Sequence, residues 1–286
     1  MVSSIGLAVI LAAILYVCAT ETHNETHKCE DILVHDKPHK KHIVSKGLNR
    51  PYQLAFDKHE HRIFFSHNIG SDNEDEFEIG YIEKNQMLPK TVASVINGFA
   101  IAVDNNDDVI YYGGSEGIYK ENLKGMEAVN DTKKVHEVVK GHNIWDMFYK
   151  HALYFITYPT QHLYKLTSKN EIERQKHVHE EIYQFAIDGH DDTFITNETG
   201  LFLIKNETKE RILYKGPKVF RAIEINNKGT AYFSGKNGIY VANKTHHALD
   251  LVVKVKNIFG LAFDNDDNII YSNPHAIVKL LPGKCD

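Results

Sequence analysis

The sequence has few residues that interrupt β-strands and no excess of positive charge. Its 286 residues include 7 prolines, 3 cysteines and 1 tryptophan. The 33 lysines and arginines are outnumbered by 38 aspartates and glutamates, so the formal net charge is −5. Because binding to a phosphate backbone needs a concentrated positive field, this balance argues against a nucleic-acid partner. The 15 tyrosines and 14 phenylalanines belong to the types enriched in strands, and they predict an all-β fold.

The N-terminus carries an apolar stretch that predicts export. Residues 5–17 read IGLAVILAAILYV, with no charge before Glu21 and with the small residue Ala19 at the end. This pattern is typical of a signal peptide over residues 1–19 and predicts a soluble, secreted protein that does not associate with a membrane. The alternative is an uncleaved membrane anchor, which needs about 20 apolar residues and usually has basic flanks.

Cleavage after Ala19 would leave two cysteines, Cys29 and Cys285, near the two ends of the mature chain. An even count in an oxidising compartment predicts that they form one disulfide. Asn-x-Ser/Thr sequons also fit a secretory route and are expected to carry glycans. They stand at Asn24, Asn130, Asn197, Asn206 and Asn243.

A repeated unit determines the predicted architecture. Six segments share an aromatic residue, an alternating apolar run, a turn and a second strand, as in FAIAVDNNDDVIYYG and FGLAFDNDDNIIYS. The leading aromatic residues are Tyr52, Phe99, Trp145, Tyr183, Phe220 and Phe259. They follow one another at intervals of 37 to 47 residues, which is the period of four-stranded propeller blades.

Each unit continues with a third strand, and five units continue with an outer strand. The predicted outer strands are residues 91–96, 134–139, 177–182, 211–216 and 249–255. The sixth unit lacks one, and residues 41–47 (KHIVSKG) are expected to supply it by pairing with residues 276–281 (AIVKLL). We therefore predict a six-bladed β-propeller over residues 41–286, closed by an N-terminal strand, with residues 20–40 as an extension. The alternative is a large β-sandwich with irregular strands.

The repeated unit resembles the inner hairpin of NHL and YWTD-type propeller repeats. The opening segment GLNRPYQLAFD (47–57), together with RIFFSHNI (62–69), resembles the ommochrome-binding proteins of lepidopteran haemolymph. This resemblance implies a secreted pigment carrier for phenoxazone-type tryptophan metabolites. It supplies no pattern of site residues that could be carried over.

The six leading aromatic residues are candidates for a ligand site. Each begins an innermost strand, so repetition would place all six at one height around a mouth of the central channel. A ring of flat faces would suit a planar conjugated ligand. The alternative is that these side chains turn between the blades and fill the core.

The residue after each aromatic is polar in four units, and these four residues are candidates for lining the pocket. They are Gln53, Asp146, Gln184 and Arg221. Arg221 could bind a carboxylate through two N–H donors. The alternative is an ion pair across the channel between Arg221 and Asp146.

Enzyme chemistry has little support in the sequence, so we expect no catalytic site, no metal and no cofactor. The motifs G-x-S-x-G, H-E-x-x-H, the P-loop and C-x-x-C do not occur. Six-bladed lactonases hold a metal with carboxylates at strand starts, whereas Asp146 is the one carboxylate at these positions here. The acidic segments 104–108, 188–192 and 264–268 lack the pattern of calcium loops and are interpreted as hairpin turns.

The favoured function is therefore non-catalytic carriage of a small aromatic pigment or tryptophan metabolite by a monomer. A secreted metal-dependent lactonase or esterase and a propeller that binds another protein remain the alternatives.

Overall fold

The computed structural model describes residues 31–71, 74–92, 95–124, 126 and 135–285. These residues form 25 strands in six antiparallel sheets, and the described part of the chain contains no helix. It therefore also contains no helix long and apolar enough to cross a bilayer. The predicted signal peptide, Asn24, Cys29 and Asn130 lie outside the described residues.

The strands follow one another in blades of four. The described residues begin with β1 (Asp31–Val34) and β2 (Lys37–Lys46), which belong to the last blade. Blade 1 consists of β3 (Leu54–Phe56), β4 (Ile63–Asn68), β5 (Phe77–Ile82) and β6 (Lys90–Thr91). Blade 2 consists of β7 (Ala100–Asp104), β8 (Val109–Gly113), β9 (Gly117–Asn122) and β10 (His136–Lys140). Blade 3 consists of β11 (Asn143–Tyr149), β12 (Leu153–Tyr158), β13 (Leu163–Leu166) and β14 (Ile172–Arg174).

The second half of the chain continues the pattern. Blade 4 consists of β15 (Gln184–Ile187), β16 (Thr193–Asn197), β17 (Gly200–Ile204) and β18 (Arg211–Leu213). Blade 5 consists of β19 (Phe220–Ile225), β20 (Ala231–Gly235), β21 (Gly238–Asn243) and β22 (Ala248–Val253). Blade 6 consists of β23 (Leu261–Phe263), β24 (Ile269–Ser272), β25 (Ala276–Pro282), β2 and β1.

The six innermost strands form a ring. Contacts run from β3 to β7, β11, β15, β19 and β23, and β23 returns to β3. The prediction of a six-bladed β-propeller is thus confirmed, and the sandwich alternative is wrong. The core lies between adjacent blades; Phe64 of blade 1 and Tyr112 of blade 2, for example, are fully buried in one cluster. Burial of one such side chain contributes about 1.5–3 kcal/mol.

Blade 6 combines the two ends of the described chain. Strand β2 pairs antiparallel with β25, with Ile43 opposite Val278, and the β1–β2 hairpin adds a fifth strand. The amide of Cys285 donates a hydrogen bond of 2.7 Å to Asp31 Oδ1, so the end of the chain lies beside β1. The pairing of Cys285 with Cys29 stays a prediction.

The predicted outer strand of blade 3 is wrong. Residues 177–182 contain no strand, and the outer strand is Ile172–Arg174, in which Arg174 pairs with Tyr164. The segment 177–182 instead buries Val178 and Ile182 completely, in the cluster between blades 3 and 4. The apolar residues taken for strand alternation therefore fill the space between two blades.

Candidate functional site

The two ends of the channel differ in chemistry. We call the end at which the inner strands begin the aromatic end, and the end at which they enter their first turns the hairpin end. At the last residue of an inner strand, or one residue beyond it, five blades carry a side chain that accepts hydrogen bonds from backbone N–H groups two to four residues later. These hydrogen bonds stabilise the turn. These residues are Asp57, Asp104, Asp188, Asn226 and Asp264.

The acidic segments thus form hairpin turns, as interpreted from the sequence. In three of these turns the second carboxylate oxygen binds a cationic side chain. Asp57 binds Arg62, Asp188 binds Lys244 and Asp264 binds Lys279. Within the described residues, no group of three or more His, Cys, Asp or Glu side chains could hold a metal ion.

Four of the leading aromatic residues form a continuous surface at the aromatic end, which we call the aromatic arc (Phe259, Tyr52, Phe99 and Trp145). The ring centroid of Tyr52 lies 4.9 Å from that of Phe259 and 5.6 Å from that of Phe99. Phe99 stacks on Trp145 at 5.3 Å with an interplanar angle of 25°. All four side chains are partly exposed. The arc therefore spans blades 6, 1, 2 and 3.

Two rings that the repeat did not indicate extend the arc. Phe77, at the start of β5, lies 4.8 Å from Phe99, and Tyr158, at the end of β12, lies 6.0 Å from Trp145. Neither occupies the leading position of a repeat. An aromatic residue at the start of a third strand or the end of a second strand was the available signal, because both positions lie at the same end of the blade.

Tyr183 and Phe220 differ from the other leading residues. The Tyr183 side chain is exposed. The backbone carbonyl of Tyr183 accepts a hydrogen bond of 2.9 Å from Trp145 Nε1. Phe220 is buried, 5.8 Å from Phe233, in the core cluster of blades 4 and 5. The expectation that all six rings surround the mouth therefore does not hold for Phe220, which adopts the alternative position in the core.

The loops around the arc are also apolar. Four large hydrophobic side chains at this end are exposed, between 49% and 72% of their surface. They are Ile69, Ile96, Tyr158 and Val219. These side chains add apolar surface beside the arc.

Two of the four polar candidates, Gln53 and Asp146, are hydrogen-bonded to each other, whereas Gln184 and Arg221 have other partners. Asp146 is 5% exposed. It accepts hydrogen bonds from Gln53 Nε2 at 3.0 Å and from the backbone amides of Met147 at 3.0 Å and Phe185 at 3.3 Å. Burial raises the pKa of Asp146 to about 7. Gln184 accepts a hydrogen bond of 2.8 Å from the Thr196 hydroxyl.

Arg221 belongs to the aromatic end. It is exposed, and its guanidinium lies 4.1 Å from the ring centroid of Phe259, so it extends the arc to blade 5. In the described structure Asp146 binds Gln53 and two backbone amides, and no ion pair joins it to Arg221, which contradicts the alternative of a pair across the channel. Arg221 also has no hydrogen-bond acceptor among the described residues.

A cavity of about 330 Å³ occupies the channel between the Asp146 layer and the hairpin end. All six inner strands line it, whereas the aromatic arc does not. Glu224 lines this cavity and was missed by sequence reasoning, which considered strand starts alone. Burial, together with the charge of Asp146, raises the pKa of Glu224 to about 8. A single acid within the otherwise apolar run AIEI (222–225) was the available signal.

Comparison with known proteins finds a relative of similar length. The chain is 30% identical over 279 residues to the ommochrome-binding protein of Manduca sexta, and the match covers 95% of this chain and 98% of that protein. No family model matches the chain.

Solved structures with similar architecture are distant in sequence. A gluconolactonase from Xanthomonas campestris has a TM-score of 0.67 and 11% identity, over 89% of this chain and 96% of the other. A streptogramin B lyase has a TM-score of 0.54 and 13% identity, over 89% of this chain and 97% of the other. At these identities the likeness shows the fold alone.

Proposed function

Because the chain belongs to the ommochrome-binding protein family, we propose that it is a non-catalytic carrier of a small planar pigment of the ommochrome type. The binding surface is the aromatic arc, with Arg221, Tyr183 and the neighbouring polar residues Gln53 and Gln184 at its margin. The relative's name supports pigment binding, and the geometry of the aromatic end supports the location.

The observation that carries this proposal is the continuity of the arc. Phe259, Tyr52, Phe99 and Trp145 belong to four consecutive blades, yet each ring contacts the next at 4.9–5.6 Å. Partly exposed rings in contact offer a planar ligand an extended surface for stacking. Each aromatic contact contributes about 0.5–1.5 kcal/mol beyond the burial of area.

Arg221 suits an acidic group on the pigment. The protein carries a formal net charge of −5, so an anionic ligand requires a local cation. Arg221 contacts Phe259 through the ring face, is exposed and has no acceptor in the described structure. Its N–H donors can therefore pair with a carboxylate through two parallel hydrogen bonds.

The same proposal includes secretion into an extracellular fluid such as haemolymph. Its supports are the apolar segment 5–17, the sequons and the two cysteines near the chain ends. The three sequons in the described residues, Asn197, Asn206 and Asn243, lie at the ends of strands or in turns, and Asn206 is exposed.

The experiment compares pigment binding by two matched variants. Phe99→Leu keeps an apolar side chain in the arc but removes its flat face, and Phe202→Leu makes the same change on β17, away from the aromatic end. Equilibrium dialysis against a phenoxazone pigment should show weaker binding to Phe99→Leu and wild-type binding to Phe202→Leu. Equal affinities for both folded variants would refute the location at the arc.

A parallel assay addresses catalysis. Wild-type protein incubated with lactone and ester substrates, with and without calcium, is expected to give no turnover above the buffer rate. Calcium-dependent turnover would contradict a non-catalytic carrier and favour the hydrolase alternative.

A further inference from the structure

The channel cavity has a chemistry that the pigment site does not use. We propose that the cavity between the Gln53–Asp146 hydrogen bond and the hairpin end is a second site, which binds the ammonium group of a small arylalkylamine between Asp146 and Glu224. This inference rests on the cavity alone and does not depend on the pigment proposal.

Two of the carboxylates that line the cavity, Asp146 and Glu224, have no cationic partner among the described residues. The hydrogen bonds to Asp146 come from three uncharged N–H donors, on Gln53, Met147 and Phe185. Glu224 is half-buried, accepts one hydrogen bond of 2.9 Å from the amide of Ile225, and has no partner for its second oxygen among the described residues. Buried carboxylates without a counter-ion are costly, and a bound cation would remove that cost.

The other charged groups of the cavity stand at its hairpin end. Lys150 is paired with Asp191 at 2.7 Å, and Asp188 is paired with Lys244 at 2.5 Å. Lys58 lines the same end and lowers the pKa of Glu224 through its charge. These lysines do not replace a counter-ion beside the carboxylates, because neither Asp146 nor Glu224 forms an ion pair with a described residue.

The shape and the walls of the cavity favour an organic cation over a bare metal ion. Its volume of about 330 Å³ lies at the lower end of the range for small-molecule pockets. Phe148 lines it and is partly exposed, whereas Phe185, with its ring centroid 6.3 Å away, and Ile223 are buried beside it. Two carboxylates without a third grouped ligand in the described residues are a poor site for calcium, whereas the partly exposed ring of Phe148 beside the carboxylates suits an ammonium that carries its own ring.

The titration of the two acids makes binding depend on pH. With native pKa values of about 7 for Asp146 and about 8 for Glu224, the empty pair is largely protonated at pH 6. An arylalkylamine keeps its charge up to a pKa of about 10, as a lysine side chain does. The affinity should therefore rise as the pH increases from 6 to 8.5, and binding near pH 7.5 should release protons.

The test is calorimetric titration of the full protein with phenethylamine and with its neutral analogue phenethyl alcohol. We expect saturable binding of the amine, binding of the alcohol at least tenfold weaker, and proton release that is visible as a dependence of the heat on the buffer. Asp146→Asn and Glu224→Gln should each weaken amine binding roughly tenfold. Phe99→Leu should leave it unchanged, which separates this site from the pigment site.

Several results would overturn the proposal. These are no binding of the amine, equal binding of amine and alcohol, or wild-type affinity in both carboxylate variants. Calcium that binds to the wild type and excludes the amine would show a metal site instead. If a carboxylate variant does not fold, the wild type still tests the proposal, because amine binding without proton release would overturn it.

Discussion

Gln53 of blade 1 donates a hydrogen bond of 3.0 Å to Asp146 of blade 3, so the two side chains join inner strands that are not neighbours in the ring. Asp146 also accepts the amide of Phe185 from blade 4. Tyr52 and Trp145 of the aromatic arc immediately precede Gln53 and Asp146 in the sequence. This bridge therefore lies between an apolar surface on one side and the polar cavity on the other.

The buried acid of this bridge should make stability depend on pH. The native pKa of Asp146, about 7, lies above its ordinary value of 3.8, so between these values the native state binds more protons than the unfolded state. The free energy of unfolding should then decrease as the pH rises from 5 to 8.5. Asp146→Asn lacks this titration. The free energy of unfolding of the variant, relative to that of wild type, should therefore increase by about 3 kcal/mol between pH 5 and 8.5.

Urea denaturation of both proteins at pH 5, 7 and 8.5 measures this difference. Asp266→Asn, which changes an exposed turn residue, serves as the control and should show no such trend. A constant difference between wild type and Asp146→Asn would mean that Asp146 titrates normally.

The ion pair of the first hairpin should contribute strongly to stability. Asp57 and Arg62 are 0% and 4% exposed, their side chains meet at 2.7 Å, and Arg62 also donates to the carbonyl of Leu123 in blade 2. Arg62→Met leaves a buried carboxylate without its partner and should cost about 3–5 kcal/mol.

The exposed pair Lys205–Glu210, at 3.2 Å, provides the comparison. Lys205→Met should cost less than about 1 kcal/mol. Adding Asp57→Asn to Arg62→Met should restore part of the loss. A small effect of Arg62→Met in thermal or urea unfolding would show that the hairpin tolerates the unpaired carboxylate.

The guanidinium at the aromatic end should determine the preference for acidic pigments. Arg221→Lys keeps the charge but loses the planar donors, and Arg221→Ala loses both. Binding of an acidic pigment should weaken in that order, with a loss of about 1.5–3 kcal/mol for Ala. A neutral analogue should be affected less.

Arg174→Ala, on the exposed strand β14, controls for the change in net charge. If Arg221→Ala binds the acidic and neutral pigments as tightly as wild type, the residue serves the contact with Phe259 and not the ligand.

The chain ends should be joined covalently. We predict a disulfide between Cys29 and Cys285, and its loop of 257 residues corresponds to about 5 kcal/mol in the chain-entropy model. Native secreted protein should react with a thiol reagent at these positions after reduction and not before. Labelling of both cysteines without reduction would disprove the link.

The sequence predicted the fold well because its repeat records the inner hairpin of each blade. Outer strands were harder to predict, since they are short and partly exposed; the apolar residues Val178 and Ile182 resembled a strand but fill a gap between blades. Periodicity also could not show which face of a strand looks inward, so Phe220 was placed at the mouth although it is buried in the core. Glu224 was missed because it lies in the middle of its strand.

The most direct test of the account uses the single tryptophan, Trp145, which stacks on Phe99 within the proposed pigment site. Its emission is measured while an ommochrome-type phenoxazone pigment is added to native protein, with free tryptophan as the correction for absorbed light. We expect saturable quenching at one pigment per protein, with the same affinity as dialysis gives. Emission that falls no further than that of free tryptophan would contradict the claim that this protein binds the pigment on its aromatic arc.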